Sequence, residues 1–163
     1  MTIMRLDLIG TVLDGHRKAD LARRLIATFC EIEVGRDLEV AHSGFVVHIN
    51  ETPADSVFMG DAPMVVANPA GRAAIMSVQV MAGPWTDEMK ASLFERLEPI
   101  VREVAEIPKQ GARGDFWMTI VEVPEGGWGV GGRPVSIAKL APAFSDDRQE
   151  RIREYLSQPR RHP

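Results

Sequence analysis

The side chains most often used in catalysis and metal binding are few and widely spaced in this sequence. His16, His42 and His162 have no ligand spacing with one another or with a cluster of carboxylates. A metal centre needs several such ligands brought together, so we predict no metal site. The single cysteine, Cys30, excludes an internal disulfide framework and a cysteine-based structural zinc site.

Three further features resemble functional motifs, but each has a simpler structural explanation. Glu51 and Glu122 occupy equivalent places in two similar segments, which favours a role at a strand turn over a role in catalysis. His48 falls on the polar face of a predicted strand, where an interface position is favoured. The glycine-rich run 126–132 is followed by Arg133-Pro134 and an extended segment rather than a helix, which excludes a nucleotide-binding loop.

The composition describes one folded domain with a hydrophobic core. The chain has 163 residues, of which 45% are hydrophobic, and 19 Lys and Arg against 23 Asp and Glu give a net charge of −4. This mild acidity argues against a nucleic-acid partner. No stretch approaches the ~18 apolar residues of a membrane helix, so we expect no membrane association. The first residues lack the basic region of a signal peptide, and the single cysteine suits a reducing compartment, so we predict a cytoplasmic location.

The sequence contains an internal repeat. One constant shift aligns the first helix pattern with the second, matching Lys18 with Lys90 and Arg24 with Arg96. A shift that is shorter by a single position aligns the strand and turn 45–53 with 116–124. Two matches in the same order, only slightly out of register, indicate a duplicated unit.

Each copy has the pattern strand, helix, strand. Residues 3–9 and 76–81 alternate apolar and polar side chains as half-buried strands do. Residues 14–32 place their apolar side chains on one helical face, and Thr86 opens a second helix that contains Pro99. Strands joined through a helix are parallel. We therefore predict an α/β (α+β two-layer) fold: a tandem β-α-β repeat forms a four-stranded sheet with two helices on one face.

The second face of this sheet carries a mixture of side chains that predicts a subunit interface. Its residues are too polar for a helix-packed core and too apolar for bare water, and the chain is too short to supply another helical layer. They are Arg5, Asp7, Val46, His48, Asn50, Ser77, Gln79, Met81, Trp117 and Thr119. We therefore predict an oligomer whose sheets face one another.

The remaining segments connect or extend the two copies. We predict repeats at about 1–62 and 73–140 within a single domain 1–163, followed by a helical tail at 145–158. The apolar piece Met64-Val65-Val66 is interpreted as an edge strand. Residues 135–140 are interpreted as another short strand, and Ser145 as the N-cap of the last helix.

The duplicated unit and two of its turns resemble the tautomerase superfamily. The first turn is Asn50-Glu51-Thr-Pro53-Ala54-Asp-Ser-Val57-Phe58-Met-Gly60. The second is Glu122-Val-Pro124-Glu-Gly-Gly-Trp128-Gly-Val-Gly-Gly132. This superfamily includes 4-oxalocrotonate tautomerase, macrophage migration inhibitory factor and cis-3-chloroacrylic acid dehalogenase, and the closest likeness is to the dehalogenase branch with two fused units. The resemblance implies a homotrimer and chemistry without a cofactor.

The resemblance also implies that the amino terminus is the reactive group. The family uses an amino-terminal proline as base, acid or covalent catalyst. This chain has Thr2 after Met1, and the distance to Gly10 places Met1, if it is retained, where the proline lies. A free α-amine at either residue has an ordinary pKa of about 7.7–8.0, which suits a base acting near neutral pH. As a primary amine it could also form an imine. The alternative is an ordinary strand end.

The binding residues implied by the resemblance differ from the family pattern. The arginines that bind anionic substrates are replaced, and the candidate cations that remain are Arg72, Arg113 and Arg133. Trp128 occupies the position of an aromatic wall beside the catalytic amine, and Trp85 and Trp117 are expected to flank the same cavity together with Thr119. Such walls favour a neutral or aromatic substrate.

Two functions fit these observations. The first is a tautomerase-like isomerase that uses the N-terminal amine on a small carbonyl compound; dehalogenase or decarboxylase activity is disfavoured because the arginines are missing. The second is a catalytically reduced trimer of the same fold that binds a small molecule or a partner protein. Retention of Met1 and activity of the unmodified chain separate them.

Overall fold

The computed structural model of the protein describes residues 1–109 and 115–159. The first half of the chain forms three strands or helices of eight residues or more and several short elements. In chain order these are β1 (Thr2–Ile9), α1 (Gly15–Val34), α2 (Glu39–His42), β2 (Phe45–Thr52), β3 (Phe58–Met59), β4 (Ala62–Pro63) and α3 (Met64–Ala67). The second half repeats the large elements and adds a C-terminal segment. It contains β5 (Ala73–Met81), α4 (Asp87–Ala105), β6 (Phe116–Val123), β7 (Gly129–Val130), β8 (Arg133–Pro134), α5 (Ile137–Leu140) and α6 (Asp146–Ser157).

The four long strands form one sheet in the order β2-β1-β5-β6. β1 is parallel to β2, β5 is parallel to β6, and the two pairs meet where β1 runs antiparallel to β5. Thr2 pairs with Phe45 in the first unit, and Ala74 pairs with Phe116 in the second. Thr2 is related to Ala74, and Phe45 to Phe116, by the two shifts found in the sequence. The predicted two-layer α/β fold with a tandem repeat is confirmed.

The two long helices begin and end at residues that explain their lengths. The Asp14 carboxylate accepts a hydrogen bond from the Arg17 amide at 2.8 Å, and the Thr86 hydroxyl accepts one from the Met89 amide at 3.2 Å. Both are N-cap contacts that satisfy amides without a partner inside the helix. α1 ends at Gly35, whose φ of 90° is the left-handed conformation typical of a helix C-terminus.

The helices pack against the sheet through equivalent apolar faces. Buried side chains of α1 recur in α4 at the same spacing: Leu21, Leu25, Phe29 and Ile32 correspond to Leu93, Leu97, Val101 and Val104. They cover the strand residues Met4, Leu6, Leu8, Met76, Val78 and Val80, all of them at most 1% exposed. The core therefore lies between the helical layer and one face of the sheet.

Ion pairs follow the same repeat. Arg24 of α1 bonds Glu103 of α4 at 2.7 Å, and Arg96 of α4 bonds Glu31 of α1, so the two bridges are related by the shift that aligns the two helices. Lys18 bonds Glu51 at 2.9 Å in the first unit, and Lys90 bonds Glu122 at 2.6 Å in the second.

These lysine contacts explain the repeated glutamates. Glu51 also accepts a hydrogen bond from the Leu13 amide at 2.6 Å, which joins the end of β2 to the start of α1. Both contacts lower the pKa of the Glu51 carboxyl, the amide bond more than the lysine. A structural role for both residues agrees with these contacts.

The opposite face of the sheet is open in the single chain over most of its length. Val46, Ile75, Trp117 and Val121 are between 37% and 52% exposed. One residue differs from the prediction for this face. Met81 is 1% exposed, because it belongs to the main hydrophobic cluster at the end of β5.

The segment between the units covers one end of that face. Ala54, Met64, Ile9 and Ala73 form a small hydrophobic cluster there. The prediction of an edge strand at Met64-Val65-Val66 is wrong: these residues form α3, directly after Pro63, and the Met64 amide donates to the Val57 carbonyl at 2.7 Å. Pro63 has the fixed φ that suits a residue just before a helix.

The C-terminal segment also differs from the prediction. Residues 135–140 were expected to form a strand, but Ser136 caps the short helix α5 by accepting a hydrogen bond from the Ala138 amide at 3.2 Å. The extended pairing is limited to β7 and β8, which form a short hairpin. The predicted C-terminal helix is present as α6. In the part of the chain that the structure describes, no helix is both long and apolar enough to cross a membrane.

Candidate functional site

The amino terminus lies at the beginning of an inner strand rather than in bulk solvent. Met1 is half-buried and Thr2 is buried. The Thr2 amide donates a hydrogen bond to the Gly44 carbonyl at 3.0 Å, which fixes the first residue of β1 beside the start of β2. The two residues predicted to carry the chemistry are therefore held in a defined position.

The side chain that accompanies them is Glu33, in the last turn of α1. Its side chain is almost completely buried, and the Thr2 hydroxyl donates to its Oε2 at 3.0 Å. Within the described part of the chain, its other oxygen, Oε1, has no hydrogen-bond partner. Buried carboxylates rarely lack partners, and because Oε1 is itself shielded from solvent, it is a place for a proton.

Two opposing influences act on the Glu33 carboxyl. Burial raises its pKa, and this is the larger influence; the positive charge of the amino terminus and the Thr2 hydrogen bond act in the opposite direction. The net result is a pKa above the ordinary value of 4.5. The amine and the buried carboxyl are thus close enough to affect one another.

A cavity of about 250 Å³ opens beside these two groups. Its wall is mainly apolar and comes from the end of α1, the α2 segment, the start of β2 and the segment after α5. The lining residues are Met1, Glu33, Val34, Val40, Ala41, Ser43, Gly44, Phe45, Leu140, Ala143 and Phe144. Among the residues that the structure describes, no Lys, Arg or His lines this cavity.

The raised pKa of Glu33 predicts a specific dependence of stability on pH. A carboxyl whose pKa is higher in the folded than in the unfolded protein contributes its full stabilisation below the unfolded-state pKa. This contribution is lost as the pH rises through the folded-state pKa. As the pH is raised from 4, the melting temperature of the wild type should therefore fall relative to that of Glu33→Gln. The exposed residue Glu39 supplies the control, because Glu39→Gln is expected to follow the wild-type curve. Parallel curves for wild type and Glu33→Gln would contradict this prediction.

The other predicted binding residues lie outside this lining in the single chain. Trp85 stacks edge-on against Phe29 at 5.5 Å between ring centroids, and Phe29 packs against the cavity residue Phe45 at 5.8 Å. Trp85 thus supports the cavity wall through an intervening ring. Trp117 and Thr119 lie on the open face of the sheet.

Among the described residues, Trp128, Arg72 and Arg133 do not line the cavity within one chain. Trp128 is buried in the main core, beside the hairpin that carries the exposed Arg133. Arg72 pairs with Glu106 at 2.9 Å, so the carboxylate of Glu106 balances the positive charge of Arg72. Arg113 lies outside the described residues.

One group of side chains has the composition of a metal site. The ligand atoms of Cys30, Asp37 and His42 lie within 4.8 Å of one another, so the absence of ligand spacing in the sequence did not reflect the folded arrangement. His42 Nε2 and Asp37 Oδ1 already pair with each other at 2.6 Å. Burial raises the pKa of the Cys30 thiol, which opposes the thiolate that a metal requires. We therefore keep the prediction of no metal.

Glu33 is the site residue that sequence reasoning missed. A signal was present, because Glu33 lies four residues after Phe29 and eight after Leu25, on the apolar face of the predicted helix. A charged residue on such a face is rarely buried without a partner.

The comparisons agree with this architecture. No protein-family model and no curated protein matches the sequence. Among solved structures, a wild-type fused 4-OT in an asymmetric trimer is 20% identical with a TM-score of 0.63, over 81% of this chain and 94% of that one. A native fused 4-OT is 23% identical with a TM-score of 0.63 and the same coverage. The macrophage migration inhibitory factor of Toxoplasma gondii is 12% identical with a TM-score of 0.61, over 82% and 99%.

These likenesses show the class of fold. The chain has the tautomerase fold shared by 4-OT and macrophage migration inhibitory factor proteins, as the resemblance predicted. Both β-α-β units are contained in one chain, and the structures named above as fused 4-OT match it with 94% of their own length covered.

Proposed function

We propose that the protein is a cofactor-free, tautomerase-like isomerase that transfers protons on a small carbonyl compound with its N-terminal amine. The observation that carries this proposal is the arrangement at the start of β1, where Met1 and the buried carboxyl of Glu33 line one apolar cavity. A tautomerase needs a base near the α-carbon and a site that limits access of water, and the amine of Met1 and the mainly apolar lining support both requirements. The single cysteine suits a cytoplasmic location.

The first test is the state of the amino terminus and the activity of the unmodified protein. Intact-mass measurement gives the fraction of chains that retain Met1. Ketonisation of the enol forms of phenylpyruvate and 2-hydroxymuconate is then followed by absorbance. We expect retained Met1 and a rate above that of buffer for at least one enol. A rate equal to that of buffer with both enols, together with no catalysed exchange of the α-hydrogens of the uncharged phenylacetaldehyde, would contradict the proposal.

The alternative is a catalytically reduced protein that uses the same cavity for binding. One observation favours it: the described lining contains no cation to hold an anionic substrate or to stabilise an enolate. In that case the wild type would be inactive, and Thr2→Pro, once Met1 is removed, would gain activity. Full activity of the unmodified protein would exclude this alternative.

We further propose that the protein is a homotrimer joined through the open face of the sheet. Large apolar side chains on that face support this, since exposed apolar patches mark association sites, and fused 4-OT trimers are the assemblies of the similar proteins. Light scattering is expected to give three times the 18.0 kDa chain mass. Trp117→Asp should dissociate the trimer, because it buries a charge in the interface.

A matched control is available on the opposite side of the molecule. Phe94 is 40% exposed on the outer face of α4, close to the 37% of Trp117. Phe94→Asp is expected to leave the mass unchanged. A wild-type mass of one chain would overturn the trimer, and equal dissociation by both substitutions would show that the sheet face is not the specific interface.

A further inference from the structure

We propose that Glu33 is the proton donor of the N-terminal site, and that its substrate is an uncharged aldehyde or ketone with an apolar body and an enolisable α-carbon. This inference rests on the tautomerase function proposed above. It adds a second reacting group and a substrate class to that function.

The internal repeat provides a comparison for Glu33 within the same chain. The residue equivalent to Glu33 in α4 is Ala105, and the residue equivalent to Thr2 in β5 is Ala74. Both alanines are fully buried. The same place in the fold therefore packs well without any polar group, and burying a carboxyl there is costly.

The two copies differ in one other respect at this place. The residue equivalent to Met1 is Ala73, which lies inside the continuous chain and has no free amine. In the described residues, the buried carboxyl and its hydroxyl partner accompany the copy that has a free amine. Their coincidence indicates that Glu33 serves the amine rather than the packing of the helix against the sheet.

The hydrogen bonds of Glu33 suit a role as the proton donor to the substrate. The Thr2 hydroxyl donates to Oε2 at 3.0 Å and leaves the buried Oε1 without a partner, in a residue that lines the cavity. A protonated carboxyl held in this way accepts through Oε2 and donates through Oε1. The raised pKa of Glu33 favours this protonated form, and Thr2 acts as a positioning residue that fixes the orientation of the carboxyl.

The step balances with the groups present. The lone pair of the Met1 amine takes a proton from the α-carbon, the C–H pair forms the new C=C bond, and the C=O π pair moves to oxygen. The protonated Glu33 carboxyl donates its proton to that oxygen and gives the enol. The resulting ammonium then returns its proton to the Glu33 carboxylate, so both groups regain their starting states. Ketonisation of the enol follows the same path in reverse.

The cavity wall determines the class of substrate. Apart from the Met1 amine, Glu33 and Ser43, the lining consists of apolar side chains and Gly44. A substrate carboxylate would find no cationic side chain among the described lining residues, and the carboxylate form of Glu33 would repel it. The volume of about 250 Å³ is below the roughly 300–1,000 Å³ of pockets for drug-sized ligands. A single ring or a short aliphatic chain bearing a carbonyl group fits these properties.

The test measures exchange of α-hydrogens with D₂O by proton NMR. Phenylacetaldehyde is the neutral probe, and phenylpyruvate has the same ring with an added carboxylate. For the wild type we expect faster exchange with phenylacetaldehyde than with phenylpyruvate. Glu33→Gln keeps the shape of the side chain but has no acidic proton, so it should slow exchange of phenylacetaldehyde at least tenfold. Glu39→Gln should match the wild type, and melting curves confirm that each variant is folded.

Each outcome has a distinct meaning. A Glu33→Gln rate within twofold of the wild type would overturn the role of Glu33 and leave the proposed function intact. Faster exchange of phenylpyruvate than of phenylacetaldehyde would overturn the substrate class. Wild-type rates equal to those of buffer for both compounds would overturn the proposed function, and this inference with it.

Discussion

Moving the amine away from Glu33 is expected to reduce ketonisation at least about 100-fold, the lower end of what general acid–base catalysis contributes. The change is an addition of Met-Gly-Ser before Met1. It leaves β1 intact, because the Thr2 amide still bonds the Gly44 carbonyl, but it converts the reactive amine into a peptide nitrogen with no basic lone pair. The quantity measured is kcat/KM with the more active of the two enols tested above.

A matched extension at the other end separates this effect from a general effect of added residues. Gly-Ser added after Pro163 is expected to leave kcat/KM unchanged. Melting temperatures of both extended forms should lie close to that of the wild type, since neither addition enters the core. Full activity of the form extended at Met1 would show that the N-terminal amine is not the reacting group.

Gly10→Ala is expected to be the most destabilising single methyl addition to the sheet. Gly10 ends β1 with a φ of +67°, and a Cβ at this position would lie 1.9 Å from the Gly71 carbonyl oxygen. Because that oxygen belongs to the backbone, the connecting segment must move as a whole. We expect a loss of at least about 3 kcal/mol, from left-handed strain of about 1–2 kcal/mol together with the clash. For a chain of this size that corresponds to a melting temperature lower by roughly 6–12 °C.

Gly60 is a closely matched control for this clash. Its φ of +69° is nearly the same as that of Gly10, and nothing lies within 4 Å of the Cβ position. Gly60→Ala should therefore show the backbone strain alone, about 1–2 kcal/mol. The difference between the two variants measures the close approach of Gly10 and Gly71. Equal losses from urea unfolding of both variants would contradict this account.

The fold was predictable because both copies of the duplicated unit carry the same sequence pattern. Lys18 recurs as Lys90 and Glu51 as Glu122, at nearly equal shifts, and in the structure each lysine bonds the glutamate of its own unit. Strand alternation and helix caps added independent support from short-range patterns. Failures occurred in short pieces such as 64–66 and 135–140, where a few apolar residues fit a strand or a helix equally well and tertiary contacts decide.

The site was predictable only in part. Its position at Met1 and Thr2 followed from the resemblance; Met1 lines the cavity, and the buried Thr2 bonds the lining residue Glu33. The contribution of Glu33 required knowledge that the end of α1 approaches the start of β1, a contact between residues 31 positions apart. Periodicity shows which face of a helix is buried, but it does not show which strand end the last turn meets.

The origin of the cavity wall has a consequence for how such a protein can change over evolutionary time. Ala143 and Phe144 come from the stretch that follows the second unit, and Leu140 is the last residue of that unit, whereas Met1 and Glu33 come from the first. Mutations at these three positions can therefore alter which molecules enter without touching the proposed reacting groups. The rest of the lining comes from the first unit, so only part of the ligand preference is encoded apart from the chemistry, and selection can act on that part separately.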